Sequence, residues 1–242
     1  MNERLHFADS GEAADLAAFL GRLVHYDRAA AVRLQGGGGA LAVFGRPPSF
    51  EVLAIRTVRL AAPVETPLDL TVSAGELLES VDEASAAATV PGPVTGPPWT
   101  GVLPPRGGWR QLPGLPGPEE MGAAVADAVA EFRARDEALP AQHRTRSERD
   151  RIGREIWSRT LGDTELPLRA VHAAQSLGFL RPVRSTVPAA TPRTATAPDP
   201  VALLAAGSWL RLRTPYGSVA MRRPGVGGGL GALQVRPVRT SG

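Results

Sequence analysis

The sequence predicts an α+β fold: a small, mainly antiparallel sheet domain with two helices, followed by a helical, winged-helix-like part that carries a β-hairpin. Three observations lead there. The first 90 residues read in the order β-α-β-β-β-β-α, and strands that follow one another so closely pair as antiparallel neighbours. Residues 118–180 repeat apolar side chains at helical spacing. Around Thr214-Pro215-Tyr216-Gly217 the pattern alternates with period two on both sides of a turn, which is the signal of a hairpin.

Residues 4–8 form the first strand candidate. Asp9-x-x-Glu12 has the spacing of a helix-capping pair, and Leu16, Phe19, Leu20, Leu23 and Val24 then line one helical face. Strands follow at 29–35, 40–45 and 50–60. The glycine run 36–39 joins the first two and leads into a strand rather than a helix, so it lacks the helix N-terminus that a phosphate loop uses. The strand at 68–73 alternates, with Leu68, Leu70 and Val72 inward and Asp69, Thr71 and Ser73 outward. Ser73-x-x-Glu76 caps the helix that carries Leu77, Leu78 and Val81. These elements make up an α+β domain over residues 1–90.

Residues 91–117 hold eight prolines and read as a linker or an extended strap. Tryptophan is unusual in a free linker, so at least one of Trp99 and Trp109 is expected to pin the strap onto a domain. A helical part with a C-terminal hairpin spans 118–223. Pro118 opens its first helix, with Met121, Val125, Val129 and Phe132 as the buried face. Ser147 begins the next helix, with Ile152, Ile156 and Leu161 inward and Gly162 ending it. Thr164 caps a helix over 165–177 that buries Leu168, Val171, Ala174 and Leu177, and Gly178 closes it. The arginines at 144, 146, 149, 151, 154 and 159 have Glu148, Asp150 and Glu155 three or four residues away from most of them, which reads as a solvated, largely neutralised face. A Pro/Thr-rich insertion is assigned to 182–206 and a Gly/Arg tail to 224–242. In the hairpin, Leu210, Leu212, Val219 and Met221 are expected buried, and Trp209, Arg211, Arg213 and Arg222 outward.

Composition removes several chemistries. All 27 basic residues are arginine, and neither lysine nor cysteine occurs. No Walker lysine, Schiff-base lysine, thiol nucleophile, disulfide or thiolate metal site is therefore available. The four histidines never approach metalloprotease spacing, no G-x-S-x-G occurs, and the expectation is no metal and no cofactor. No apolar run approaches the ~20 residues of a membrane helix. With no signal peptide read at either end, the expectation is a soluble, cytoplasmic protein without membrane contact. Charge is uneven: residues 1–90 hold seven Arg against twelve acidic residues, 181–242 nine Arg against the single Asp199. The basic end can meet nucleic acid, an anionic partner or the acidic N-terminal domain.

Two functional readings result. The first is a non-catalytic protein-interaction or structural module, self-associating through its acidic N-terminal and basic C-terminal parts. The alternative is a winged-helix-like nucleic-acid-binding regulator. In it helix 165–177 presents Arg169, His172 and Gln175 to the major groove, while Arg211, Arg213 and Arg222, beside Trp209, meet phosphates. For His172 the plainer expectation is a half-buried histidine of a helix pair.

Pro104-Pro105-Arg106-Gly107-Gly108-Trp109, Glu155-Ile156-Trp157-Ser158-Arg159 and Ala173-Ala174-Gln175-Ser176-Leu177-Gly178-Phe179-Leu180 carry a resemblance. Over about residues 100–180 the chain resembles a family of actinobacterial proteins of undefined function. The resemblance implies a bacterial, cytosolic protein and assigns no site residue.

Overall fold

Alternating burial along strands such as 31–37 and 209–214 gives the main sheet a helical face and a strap-covered face. The computed structural model describes residues 3–181 and 201–223. The tail 224–242 and residues 182–200 of the insertion lie outside the described residues.

The strands are β1 (Arg4–His6), β2 (Ala31–Gly37), β3 (Ala40–Gly45), β4 (Leu53–Arg59), β5 (Leu68–Ser73), β6 (Val81–Asp82), β7 (Ala87–Thr89), β8 (Arg110–Leu112), β9 (Ala202–Ala206), β10 (Trp209–Thr214) and β11 (Gly217–Arg222). The helices are α1 (Ser10–Tyr26), α2 (Ala74–Ser80), α3 (Pro118–Glu137), α4 (Arg146–Trp157) and α5 (Leu168–Ser176). Eight strands form one antiparallel sheet in the order β5-β2-β3-β4-β11-β10-β9-β8, and β1-β7-β6 form a smaller one. The fold class is α+β.

The caps follow the sequence at two helices and depart from it at two. Asp9 accepts the Glu12 amide at 2.9 Å to start α1, and Ser73 accepts that of Glu76 to start α2. Helix α4 begins earlier than Ser147 predicts, because Thr145 takes the N-cap position and accepts the Glu148 amide. Thr164 does not cap α5. Its hydroxyl is buried in the preceding turn, donating to the Leu161 carbonyl and accepting from the Leu166 amide, while Pro167 precedes the helix. Gly178 does close α5, with φ +73°, where the absence of a Cβ removes the steric cost.

The sequence groups the hairpin β10–β11 with the helical part, whereas in the structure it extends the N-terminal sheet. Ser218, Val219 and Ala220 pair with Ile55, Ala54 and Leu53 of β4. Leu210, Leu212, Val219 and Met221 are buried, as the alternation requires, in one core with α1, α3, α4 and α5. The close fit there is visible at Gly217, where any Cβ would lie 2.6 Å from the Phe179 ring.

The opposite face of the hairpin is not open to solvent as expected. The segment after β7 crosses it, and Trp99, Leu103 and Trp109 pack on Phe44, Leu53, Ile55, Trp209 and Ala220. Both strap tryptophans therefore pin it, and β8 within the strap adds an edge strand beside β9. Consequently Arg211 and Arg213 are half-buried, and only Arg222 of the three is exposed. The last five residues of the expected insertion form β9, buried throughout between β10 and β8.

Between α1 and the sheet lies a buried cation. Arg56 points inward from β4, its side chain 7 % exposed, and meets Glu12 at 2.9 Å and Asp15 at 3.2 Å. It also donates to the carbonyl of Tyr216 in the β10–β11 turn at 2.8 Å. Arg59 shares Glu12 and Asp9, and Arg181 pairs with Asp15 and covers the Tyr216 ring. The acidic residues of the first helix are thus neutralised within the chain.

Candidate functional site

The loop between β3 and β4 is short, holds Pro47 and Pro48, and still has to carry an aromatic residue back onto the helices. It does so with two non-glycine residues in the left-handed region, Ser49 at φ 71° and Glu51 at φ 55°. Such backbone costs on the order of 1–3 kcal/mol per residue and persists only where its surroundings hold it. What it achieves is the placement of Phe50. The ring lies edge-on to Tyr26 at the end of α1 and edge-on to His172 of α5, with centroids 5.8 and 5.2 Å apart. His172 in turn stacks on Trp157 of α4 at 4.4 Å. Four rings from four elements form a row.

Three rings of the row, Phe50, His172 and Trp157, line a cleft of about 800 Å³ bounded also by Ser49 and Glu51, Phe132 of α3, Arg149, Asp150, Gly153 and Arg154 of α4, and Arg169 of α5. Desolvation holds the His172 imidazole below its ordinary pKa, so it is a neutral stacking partner at pH 7. Arg149 is bound to Asp136 of α3 through two hydrogen bonds of 2.7 and 3.0 Å. Arg169 faces Glu51 at 3.6 Å, and its Nε has no hydrogen-bond partner among the described residues. Arg154, exposed at the rim, has no carboxylate within ion-pair distance among the described residues. The cleft joins an apolar, aromatic floor to a rim of mixed charge, in which Arg149, Arg154 and Arg169 stand with Glu51 and Asp150. Among the described residues no group of three or more His, Asp or Glu side chains could hold a metal ion.

The residues singled out in the sequence fall into two separate groups. Arg169 and His172 are in this cleft, and Gln175 is exposed one turn further along α5, beside Val125 and Val129 of α3. Trp209, Arg211, Arg213 and Arg222 are on the far side of the sheet. There Arg222 covers the Trp209 ring at 4.5 Å, Arg211 donates to the Ser218 hydroxyl at 2.8 Å, and Arg213 is half-buried on the same face. The buried face of the hairpin and the core separate the groups, so no one surface presents all seven. Sequence reasoning missed Phe50, Trp157 and Arg154 as neighbours. The sequence places Phe50 at the start of the strand candidate 50–60, whereas β4 begins only at Leu53 and Phe50 stays in the loop; the available signal was the Pro47-Pro48 pair immediately before it.

Comparison with known families divides the chain within the strap. A family model described as "Domain of unknown function (DUF8010)" matches residues 1–101. A second, "Domain of unknown function (DUF8185)", matches residues 104–226. No curated protein and no solved structure matches the chain.

Proposed function

The chain belongs to the DUF8185 family, and from that premise we propose that it is a non-catalytic protein-interaction module whose recognition surface is the aromatic cleft. The observation that carries this reading is the row Tyr26–Phe50–His172–Trp157, held by a strained loop and edged by Arg154. Aromatic and arginine side chains are the types that dominate binding energy at interfaces. An occupant that fits is an extended acidic segment of a partner protein, with an apolar or aromatic side chain for the floor and a carboxylate for Arg154.

A panel of acidic peptides, each with one central aromatic residue, tests this by fluorescence anisotropy. Trp157→Ala and Arg154→Glu are each expected to weaken binding at least tenfold. Arg154→Glu, at the exposed rim, is expected to leave the melting profile close to wild type, and Trp157→Ala to lower it because the ring also packs on the core. Binding by no peptide, or binding that both variants retain, rules the cleft out. Self-association has less support, because Asp9, Glu12 and Asp15 are already paired with Arg56, Arg59 and Arg181. The nucleic-acid reading has less support for a different reason: Arg169, His172 and Gln175 do not share a surface with Arg211, Arg213 and Arg222. A gel shift with duplex DNA at low salt would revive it.

In the same reading the protein works in the cytoplasm of an actinobacterial cell. The lysine-free, alanine-, glycine- and arginine-rich composition of a GC-rich genome is the support for that source. No helix of the described residues is long and apolar enough to cross a membrane.

A further inference from the structure

Beneath the strap, on the face of the sheet away from the aromatic cleft, is a second concavity of about 300 Å³. Its floor is Ala42, Phe44, Ile55 and Thr57, and Pro104–Arg106 of the strap overhang it. Gln35 and Gly37 close the end nearest the β2–β3 turn, where a Cβ on Gly37 would meet open space. Arg211 enters from β10.

Arg211 is the unusual element of this wall. It is half-buried, and Nε uses the Ser218 hydroxyl. No carboxylate lies within ion-pair distance of it among the described residues, and its terminal nitrogens have no hydrogen-bond partner there. The remaining neighbour is the Trp109 ring, 5.7 Å from the guanidinium carbon. Burial and the charge of Arg213 both disfavour its protonated form. A partly desolvated guanidinium with no carboxylate beside it is a ready partner for an anion that supplies the counter-charge. Other arginines with part or all of the side chain covered do have carboxylates: Arg56 has two, and Arg33 has Asp69.

We propose that this concavity is a binding site for a small organic anion, its carboxylate or phosphate head on the Arg211 guanidinium and its apolar body against Phe44 and Ile55. A planar fork of donors suits either head group. Thr57 and the Gln35 carbonyl oxygen offer neutral hydrogen-bonding groups beside the body, and Arg106 adds charge at the exposed lip. The volume is at the small end of the ~300–1,000 Å³ range of ligand pockets, which limits the occupant to a compact molecule. This site does not depend on the peptide cleft.

The test is thermal unfolding of the full chain with sodium phosphate, sodium benzoate, or sodium chloride at matched ionic strength. Phosphate or benzoate is expected to raise the melting temperature by several degrees over chloride, and the effective salt identifies the head group. Arg211→Met keeps the aliphatic stem and removes the charge. It is expected to abolish the shift while melting, without ligand, at or above the wild-type temperature, since it relieves an unpaired cation. Arg106→Ser, at the solvent-exposed lip, is expected to weaken the effective salt several-fold without changing the ligand-free melt. No shift beyond chloride, or a full shift retained in Arg211→Met, overturns the site. If Arg211→Met melts well below wild type or fails to fold, the arginine is a structural group and the proposal is likewise overturned.

Discussion

Arg56 shows how a charge can hold the inside of this protein together. Its guanidinium connects α1 to the β10–β11 turn through Glu12, Asp15 and the Tyr216 carbonyl. Removing one member of a buried ion network costs about 3–5 kcal/mol, because the partners keep their charge without its counterpart. Here Glu12 retains Arg59 and Asp15 retains Arg181, so Arg56→Ala is expected near the lower end of that range by urea denaturation. A loss under about 1 kcal/mol would mean that the network is dispensable. His172 gives a pH dependence of definite sign. Burial sets its folded pKa below the unfolded value of about 6.5, so the unfolded chain binds more protons as the pH falls. Its share of stability is complete above about pH 6.5 and is lost as the pH drops towards the folded value. Glu51, Arg149, Asp150, Arg154 and Arg169 share the cleft with it. Melts at pH 7.5 and 5.5 are expected to differ less in His172→Phe than in wild type, and an equal difference would remove His172 as the cause.

At the scale of elements, α3 and α4 are joined by two different means. Ile152 and Ile156 bury an apolar stripe, while Arg135, Arg149 and Arg159 reach across to Glu155, Asp136 and Glu131. Paired with Arg135, the Glu155 carboxyl is lowered to about 2. This lattice is exposed, and exposed pairs are worth only about 0–1 kcal/mol each. Ile156→Ala is therefore expected to cost about 2–5 kcal/mol and Arg149→Ala no more than about 1 kcal/mol. Denaturant midpoints of the two variants decide whether packing or charge holds the pair. Most of these elements were legible in the sequence, because α1, α3, β5 and the hairpin each have one buried and one solvent- or strap-facing side. β9 was not: Ala202–Ala206 is covered on both faces, so its apolar run carries no alternation and merged with the low-complexity segment before it. The strap's prolines and its two tryptophans mark it in the sequence as an extended segment pinned by tryptophan, and Trp99 and Trp109 do pack on the sheet. That it covers Arg211 was illegible, since which surface a strap crosses is set by contacts remote in sequence.

For the whole molecule the informative fact is that the two family matches meet at residues 101–104 while the main sheet runs through both. A fragment of residues 1–101 would leave the β4 edge unpaired and would strip the apolar patch of Phe44, Leu53 and Ile55 of Leu103, Trp109, Trp209 and Ala220, with Trp99 alone still able to cover it. Unpaired edges and apolar faces of this kind drive association. That fragment is expected to be aggregated or unfolded by size-exclusion chromatography and circular dichroism, and the full chain to unfold in one transition. A soluble, monomeric, folded fragment would show that the halves are independent. The aromatic cleft follows the same logic, with the loop from one matched segment and the helices from the other, which is why neither segment's pattern revealed it.

The seam between β4 and β11 also has a consequence in time. The bond from Arg56 to Tyr216 spans 160 residues of sequence, and the β4–β11 pairing is of similar reach. Closing so large a loop has to precede the contacts that reward it, which places this chain among slow folders, with folding in milliseconds to seconds or longer. On the ribosome the delay is longer still. At about 5–20 residues per second, β4 is made on the order of 10–30 s before β11 exists. For that interval the growing chain holds an open strand edge in the middle of its future sheet, and a chaperone that binds extended apolar segments would find it there.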